Sequence, residues 1–192
     1  MTTIGASTFG NCRSLTSITI PSSVTEIDGF SFYGCISLTS VTIPSNVTKI
    51  GYGAFPFCKL TSIVVEQENP VYDSRENCNA IIETKTNTLI QGCPNTLIPN
   101  SVTTIRTNAF YGCNSLTNIT IPDGVTKIGN NVFYGCSSLV KVDVKAMTPP
   151  LISSNTFNSN NNNAKFYVPA ESLEDYQAAE FWKDLNLVSN SQ

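Results

Sequence analysis

The amino-acid sequence predicts a mainly β repeat solenoid that forms one domain over residues 1–192. Three observations support this prediction. Several residue types recur with a period of about 23 residues. Each repeat holds a short β-branched run that a proline ends, and Ser, Thr and Asn supply one third of the chain. A single repeat of this kind cannot bury its apolar face, so the repeats are expected to stack and share a core.

Phenylalanine and cysteine mark the period most clearly. The matching positions, one period apart, are Phe9, Phe32 and Phe55, then Phe110 and Phe133, together with Cys12, Cys35 and Cys58, then Cys113 and Cys136. Neighbouring strands lie about 4.8 Å apart, so equivalent side chains should fall above one another. We therefore predict that the phenylalanines form one buried ladder and the leucines another.

Each repeat contains three short segments, illustrated here by the first two repeats. Leu15–Ile20 follows an L-x-x-I-x-I pattern, which indicates a strand with alternate inward side chains. Pro21 ends that strand, because proline cannot continue a ladder from within. Val24–Ile27 indicates a second strand on another side of the coil. Phe32–Cys35 then fits one helical or 3₁₀ turn that points both end residues inward.

The period fails once, between Cys58 and Cys113, whose separation is not a whole number of periods. This failure divides the chain into four parts. They are regular coils at 4–65, an irregular coil with a hairpin at 66–99, regular coils at 100–145 and a C-terminal cap at 146–192.

The irregular coil carries its own predictions. Residues 80–90 indicate a hairpin around a turn at 84–87, protruding from the stack. The segment 66–77 is polar and loop-like, and its acidic residues are Glu66, Glu68, Asp73 and Glu76. Clustered carboxylates occur in calcium sites and glycosidases. No calcium-loop spacing is present, however, so the pattern favours a solvated loop.

The C-terminal part is expected to cap the solenoid, because an open end exposes strand edges and core. After a low-complexity loop at Asn160–Asn163, we predict a strand at Lys165–Pro169 and a helix at residues 171–185. Ser172 can cap this helix at its N-terminus. Its apolar contacts to the last coil are Leu173, Tyr176, Phe181 and Trp182.

Composition excludes several classes of function. The chain has no histidine, which removes the usual general base and the commonest metal ligand. No C-x-x-C pair, nucleophile motif or phosphate loop is present. A net charge of −3 argues against nucleic-acid binding, and no apolar run is long enough to span a membrane. We therefore expect a monomeric, non-enzymatic protein without cofactor, catalytic residues or metal and without membrane insertion.

The repeat pattern I-x-x-x-x-F-x-x-C-x-x-L-x-x-I-x-I-P-x-x-V-x-x-I, running from Ile4 to Val144, resembles the BspA-type leucine-rich repeat, also called the Treponema pallidum type. The F-Y-V-P…Y…W ending and the C-N-A-I-I-E…N-T-L-I hairpin are similar to those of many such proteins in gut Bacteroidetes. This resemblance implies a right-handed superhelix of leucine-rich repeats. It also implies a secreted or cell-surface protein that acts in adhesion, binding a host protein, matrix or glycan. The alternative is a structural spacer within a larger surface protein.

The cellular location is harder to infer from the sequence, because Met1 does not begin a secretion signal. Polar residues interrupt the opening segment, where a signal needs an apolar stretch. Either the protein is cytoplasmic, or the chain is a mature fragment with an added methionine. No capping element precedes Ile4, and the repeats favour a fragment of an extracellular or cell-surface protein.

The seven cysteines have two interpretations. Five keep the repeat period and are expected to form a ladder of buried thiols, since free cysteine behaves as a small apolar residue. Cys78 and Cys93 lie symmetrically about the hairpin turn, so a disulfide between them is possible. The alternative is that Cys93 fills the leucine position of the next coil.

The outward positions of the predicted strands are the candidate binding surface. They are Thr16, Ser17 and Thr19, then Thr39, Ser40 and Thr42, then Thr117, Asn118 and Thr120. A flat sheet of hydroxyls and amides suits hydrogen bonding to a protein or glycan. The simpler explanation is that threonine has good β propensity on an exposed strand.

Overall fold

The structure, a computed structural model, describes residues 2–158 and 163–190. It is a β-solenoid of about eight turns, which confirms the predicted fold class. Its elements are β1 (Thr3–Ile4), β2 (Glu26–Ile27), β3 (Ser40–Ile43), β4 (Lys49–Ile50), β5 (Ser62–Val65), β6 (Tyr72–Asp73), a 3₁₀ turn (Arg75–Asn77), β7 (Ile81–Glu83), β8 (Thr88–Gln91), β9 (Thr104–Ile105), β10 (Asn118–Ile121), β11 (Lys127–Ile128), β12 (Lys141–Val144), β13 (Lys165–Pro169), a 3₁₀ turn (Ala170–Ser172), α1 (Leu173–Ala178) and β14 (Leu187–Asn190). Within the described ranges, no helix has the length and apolar character needed to cross a membrane.

Strands at the same position of the repeat pair in parallel and form two faces of the solenoid. On the front face, β3 pairs with β5 and β10 pairs with β12, and β13 and β14 extend the second of these sheets. The side face carries the sheet β1-β2-β4 and the sheet β11-β9-β8-β7-β6. In the pairs β1–β2, β2–β4, β9–β11 and β10–β12 the partners are one period apart, such as Ile4 and Ile27. The partners of β3 and β5 are closer by one position, because the segment Cys58–Leu60 is shorter by one residue than Cys35–Leu38.

The core is divided into two apolar clusters. Each cluster contains a ladder of stacked phenylalanine rings with centroids 4.9–5.3 Å apart, Phe9, Phe32 and Phe55 in the first and Phe110, Phe133 and Phe157 in the second. The predicted burial of Phe32, Phe55, Phe110 and Phe133 is confirmed, since none of these side chains is more than 2% exposed. The prediction of one continuous ladder is wrong, because no ring contact joins Phe55 to Phe110 among the described residues.

The hairpin of the irregular coil is the element that separates the two clusters. β7 and β8 are antiparallel, as predicted, but β8 also pairs in parallel with β9, so the hairpin lies inside the stack. Ile81 and Ile90 pack into the N-terminal cluster, whereas Ile82 and Leu89 pack into the C-terminal one. The prediction that the hairpin protrudes is therefore wrong. Its apolar side chains alternate between two buried faces, and both faces need cover.

The first coil differs from the others on the front face. Residues 15–20 form no strand, although their pattern predicts one, and β3 pairs on this face with β5 alone. Leu15 and Ile18 are only partly buried, whereas Leu38 and Val41 at the equivalent positions of the next coil are buried. Because less apolar area is removed from water in this segment, hydrophobic burial contributes less to holding it as a strand.

The C-terminal cap contains the predicted strand, β13, with the expected bounds, and a shorter helix than predicted. α1 ends at Ala178, because Ala179 is extended. The hydroxyl of Ser172 makes no capping hydrogen bond and lies 3.7 Å from the Met147 sulfur instead. The predicted low-complexity loop at Asn160–Asn163 falls largely outside the described residues.

Two aromatic side chains attach the helical part of this cap to its first residues, which follow β12. The Tyr176 hydroxyl donates to the carbonyl of Ala146 at 2.7 Å, and the Trp182 indole N–H donates to the carbonyl of Pro150 at 2.7 Å. The sequence did not predict β14, which pairs in parallel with β13 and adds a strand to the front face.

Candidate ligand-binding site

The structure exposes every residue of the predicted binding surface but does not bring them together. Thr16, Ser17 and Thr19 lie outside any strand. Thr39, Ser40 and Thr42 lie on or beside β3, whereas Thr117, Asn118 and Thr120 lie on or beside β10. These strands belong to different sheets, because the irregular coil separates them. The hydroxyl surface is therefore two patches rather than one flat sheet.

A groove of about 680 Å³ interrupts the front face between the two patches. One wall is β5, and the other is the loop that leads from β6 towards the hairpin. The residues that line it are mostly polar: Thr61, Ser62, Ile63, Val64, Val65, Glu66, Gln67, Asp73, Ser74, Arg75, Asn77, Asn79 and Asn95. We call this feature the front groove.

Side chains, rather than a neighbouring strand, supply hydrogen-bond partners for the backbone groups along the open edge of β5. The Ile63 amide N–H donates to Asn79 Oδ1 at 2.6 Å, and the Val65 N–H donates to the Ser74 hydroxyl at 3.0 Å. Asn79 also donates from Nδ2 to the carbonyl of Thr61 at 2.8 Å. Asn79 has a φ of 58°, a left-handed conformation that asparagine tolerates better than most residues. These hydrogen bonds between β5 and the opposite wall form the floor of the front groove, which is therefore fixed by contacts within the chain.

A bidentate ion pair fixes the charge at one end of the front groove. Arg75 donates from Nε and Nη2 to the two carboxylate oxygens of Asp73, at 2.8 and 2.6 Å. Arg75 Nη1 also donates to Asn87 Oδ1 at 2.8 Å. Burial alone would raise the pKa of Asp73, but hydrogen bonds from Arg75 and Thr84 outweigh it and lower the pKa below its ordinary value. The guanidinium is thus occupied within the chain, and the pair is close to neutral.

The predicted acidic cluster does not form a metal site. Among the described residues, no group of three His, Cys, Asp or Glu side chains is placed to hold a metal ion. Glu66, Glu68 and Glu76 are exposed, in line with the solvated loop. The loop contains more order than predicted, because Tyr72 and Asn69 are buried and Asn69 bonds to the carbonyls of Pro44 and Val47.

Four of the five repeated cysteines are buried packing residues with free thiols. The Cys58 thiol donates to the carbonyl of Phe32 at 3.2 Å, and the Cys136 thiol donates to that of Phe110 at 3.3 Å. Burial raises the pKa of both thiols to about 12, so they stay protonated at neutral pH. Cys12 was expected in the same buried ladder but is exposed.

Cys78 and Cys93 are also free, buried thiols, and the disulfide that their spacing suggested is not formed in this structure. They pack into different clusters, Cys78 with the C-terminal half of the core and Cys93 with the N-terminal half. Burial raises the pKa of Cys78 to about 11. Neither thiol contributes to the front groove.

Sequence reasoning missed the front groove because its polar residues do not follow the period. One signal was available. Regular coils carry an I-x-I pattern on the front strand. The irregular coil instead carries N-C-N-A at residues 77–80 and C-P-N-T at residues 93–96, which place asparagines where a strand would continue. Asparagines in such positions often satisfy backbone groups that no strand reaches.

Comparisons with known proteins agree with this architecture. The family model described as the BspA type leucine rich repeat region matches residues 2–92 and 90–189, in six copies. A leucine rich cell surface protein from Faecalibacterium prausnitzii has a similar structure, with a TM-score of 0.63 and 25% identity over the whole of this chain and 58% of its own. A leucine-rich repeat protein from Eubacterium ventriosum shares the fold, with a TM-score of 0.52 and 22% identity over 88% of this chain and 52% of its own.

A comparison with curated proteins finds no match. The chain spans little more than half the length of the two solved structures. The family model nevertheless covers almost every residue of the chain. The chain belongs to the BspA-type leucine-rich-repeat family.

Proposed function

We propose that this chain is a non-catalytic binding module of a bacterial surface protein, recognising a protein or glycan ligand through its front face. The observation that carries the proposal is the front groove, a concavity of about 680 Å³ between two exposed patches of hydroxyls and amides. Sites for small ligands commonly occupy about 300–1,000 Å³.

Three further facts support this function. Leucine-rich-repeat solenoids are typically non-catalytic, and this chain has no histidine to act as a general base. A similar solved structure is that of a leucine rich cell surface protein. The groove floor is fixed by internal hydrogen bonds, so a ligand would find it already ordered.

The test is a binding screen of the purified chain against a glycan array and a panel of purified extracellular matrix proteins. Two variants place a long charged side chain on the front face, Ser40→Arg and Asn118→Arg, one on each side of the groove. Thr126→Arg places the same side chain on an exposed position of another face.

We expect at least one ligand whose binding both front variants weaken and the control variant leaves unchanged. A chain that binds nothing in either panel, or whose front variants bind as well as wild type, contradicts the proposal and favours a structural spacer.

A further inference from the structure

We propose that the front groove is a site for a neutral oligosaccharide, an inference that rests on the proposed function and narrows its ligand class. The inference comes from what the groove walls can and cannot bind. Three classes of ligand compete for such a site: an extended peptide, an anionic polymer and an uncharged sugar chain.

An extended peptide is disfavoured because the strand edge is already occupied. A peptide that joins a sheet is held by its main-chain hydrogen bonds to an open edge. Here the edge amides of Ile63 and Val65 donate to Asn79 and Ser74, inside the chain. Ile63 and Val65 are themselves buried, so they offer no open pocket for peptide side chains.

An anionic ligand is disfavoured by the charges. Anion sites rely on unpaired arginine or lysine. The one cation on the groove wall, Arg75, already donates to both carboxylate oxygens of Asp73 and to Asn87. Glu66 adds a negative charge at the rim, and its carboxylate accepts from the Ser45 amide at 2.7 Å.

The groups that remain free are those that pair with sugar hydroxyls. Gln67 and Asn77 are exposed, and within the described chain no hydrogen bond engages their side-chain amides. An amide offers a donor and an acceptor side by side, as two adjacent sugar hydroxyls require. Asn95 uses one amide hydrogen on the Thr61 carbonyl, at 3.3 Å, and its oxygen is available.

The apolar component and the size of the groove agree with this assignment. Val64, 47% exposed, projects from β5 beside the groove and offers a small apolar surface to the C–H face of a sugar ring. The volume of about 680 Å³ leaves room for a short oligosaccharide rather than a single ring. The fixed floor lowers the cost of ordering the site on binding.

The experiment uses the full chain on an array of neutral, sialylated and sulfated oligosaccharides, followed by calorimetric titration of the strongest neutral binder. The double variant Gln67→Ala/Asn77→Gly removes both free amides, and glycine preserves the left-handed backbone at 77, where φ is 52°. Thr126→Ala, at an exposed position on another face, is the control. Thermal unfolding checks that each variant is folded.

We expect neutral oligosaccharides to bind, the double variant to weaken binding about tenfold and the control to change it less than about twofold, since only the double variant removes amides that can hydrogen-bond to the sugar. Binding restricted to charged sugars, or neutral binding that the double variant leaves intact, overturns the inference.

An array on which no oligosaccharide binds overturns the inference of an oligosaccharide site as well. The proposed function would survive that result if a matrix protein still bound and Ser40→Arg and Asn118→Arg still blocked it. A chain that binds neither sugars nor matrix proteins contradicts both proposals.

Discussion

The regular coils and the irregular coil occupy successive lengths of one solenoid but are joined by different bonds. Between regular coils, backbone groups pair with backbone groups: the Phe110 N–H donates to the Val132 carbonyl at 3.0 Å, and the Gly129 N–H donates to the Ile105 carbonyl at 2.8 Å. At the irregular coil, side chains take over much of this role. The comparison shows that the repeat tolerates a defective coil where specific polar side chains replace the missing backbone.

Arg106 is the clearest case of a side chain that replaces backbone hydrogen bonds between coils. At the equivalent positions, Gly51 and Gly129 use their backbone N–H to reach the preceding regular coil. The Arg106 N–H reaches only the hairpin, so its guanidinium extends across the irregular coil and donates to the carbonyls of Ile50 and Gly51, both at 2.9 Å. Its carbon Cζ also lies 4.9 Å from the centre of the Tyr52 ring.

Phe57 makes a second contact across the irregular coil. It occupies the position that glycine takes in other coils and adopts a φ of 57°. Its ring covers Gly112 and meets Tyr111 edge to face at 5.4 Å. A Cβ atom at Gly112 would come within 2.6 Å of this ring. Phe57 therefore depends on glycine in the coil that it covers.

The largest effect is expected in a regular coil. Phe133→Ala removes a fully buried ring that stacks on both neighbours and should lower the free energy of unfolding by about 3–5 kcal/mol. Phe9→Ala, at a half-buried ring with one stacked neighbour, is the matched control and should cost less. Urea unfolding measures both. A loss below about 1 kcal/mol for Phe133→Ala would contradict the inward register.

Arg106→Ala should come next, because it leaves two inward carbonyls without their donors. We expect a loss of about 1.5–3 kcal/mol in urea unfolding, the range for hydrogen bonds to charged groups. Arg106→Lys cannot reach both carbonyls with a planar fork and should recover only part of that loss. The exposed Arg13→Ala should change stability by less than about 0.5 kcal/mol. Equal effects at the two arginines would refute the bridging role.

Asn79→Ala should have an intermediate effect by removing both bonds to the β5 edge. The expected loss is about 1–3 kcal/mol, as for buried groups left unpaired. Asn79→Gly keeps the left-handed backbone, so the difference between the two variants isolates backbone strain. Hydrogen exchange at Ile63 should speed up in both variants. Unchanged protection there would show that Asn79 does not hold the edge.

The smallest effect concerns pH. The folded pKa of Asp73 is lowered, so its ion pair stabilises the protein above the unfolded value of about 3.9, and this contribution is lost as pH falls through the folded pKa. Asp73→Asn should therefore destabilise at pH 7 by less than about 1 kcal/mol and make little difference near pH 2. A variant that loses as much stability at pH 2 as at pH 7 would indicate a packing role instead.

The comparison also explains which features the sequence could reveal. Periodicity identified the coils and the inward rings, and the local K-F-Y-V-P segment identified β13, because each depends on a residue pattern that local sequence carries. It could not reveal that Ile81 and Ile82 face different clusters, since two buried faces look like one apolar run. It also could not reveal that Asn79 and Ser74 close the edge of β5, because those contacts join residues outside any repeat position.

The hairpin that separates the two clusters has a consequence for how the molecule loses its structure. Coils in a solenoid unfold by losing contacts to their nearest neighbours, so opening spreads along the stack. At the hairpin, the two apolar clusters end on opposite faces of the same two strands. Opening that begins at the first coil meets a boundary there, and the C-terminal half keeps its own cluster and cap. We therefore expect the chain to unfold as two cooperative units within one continuous fold.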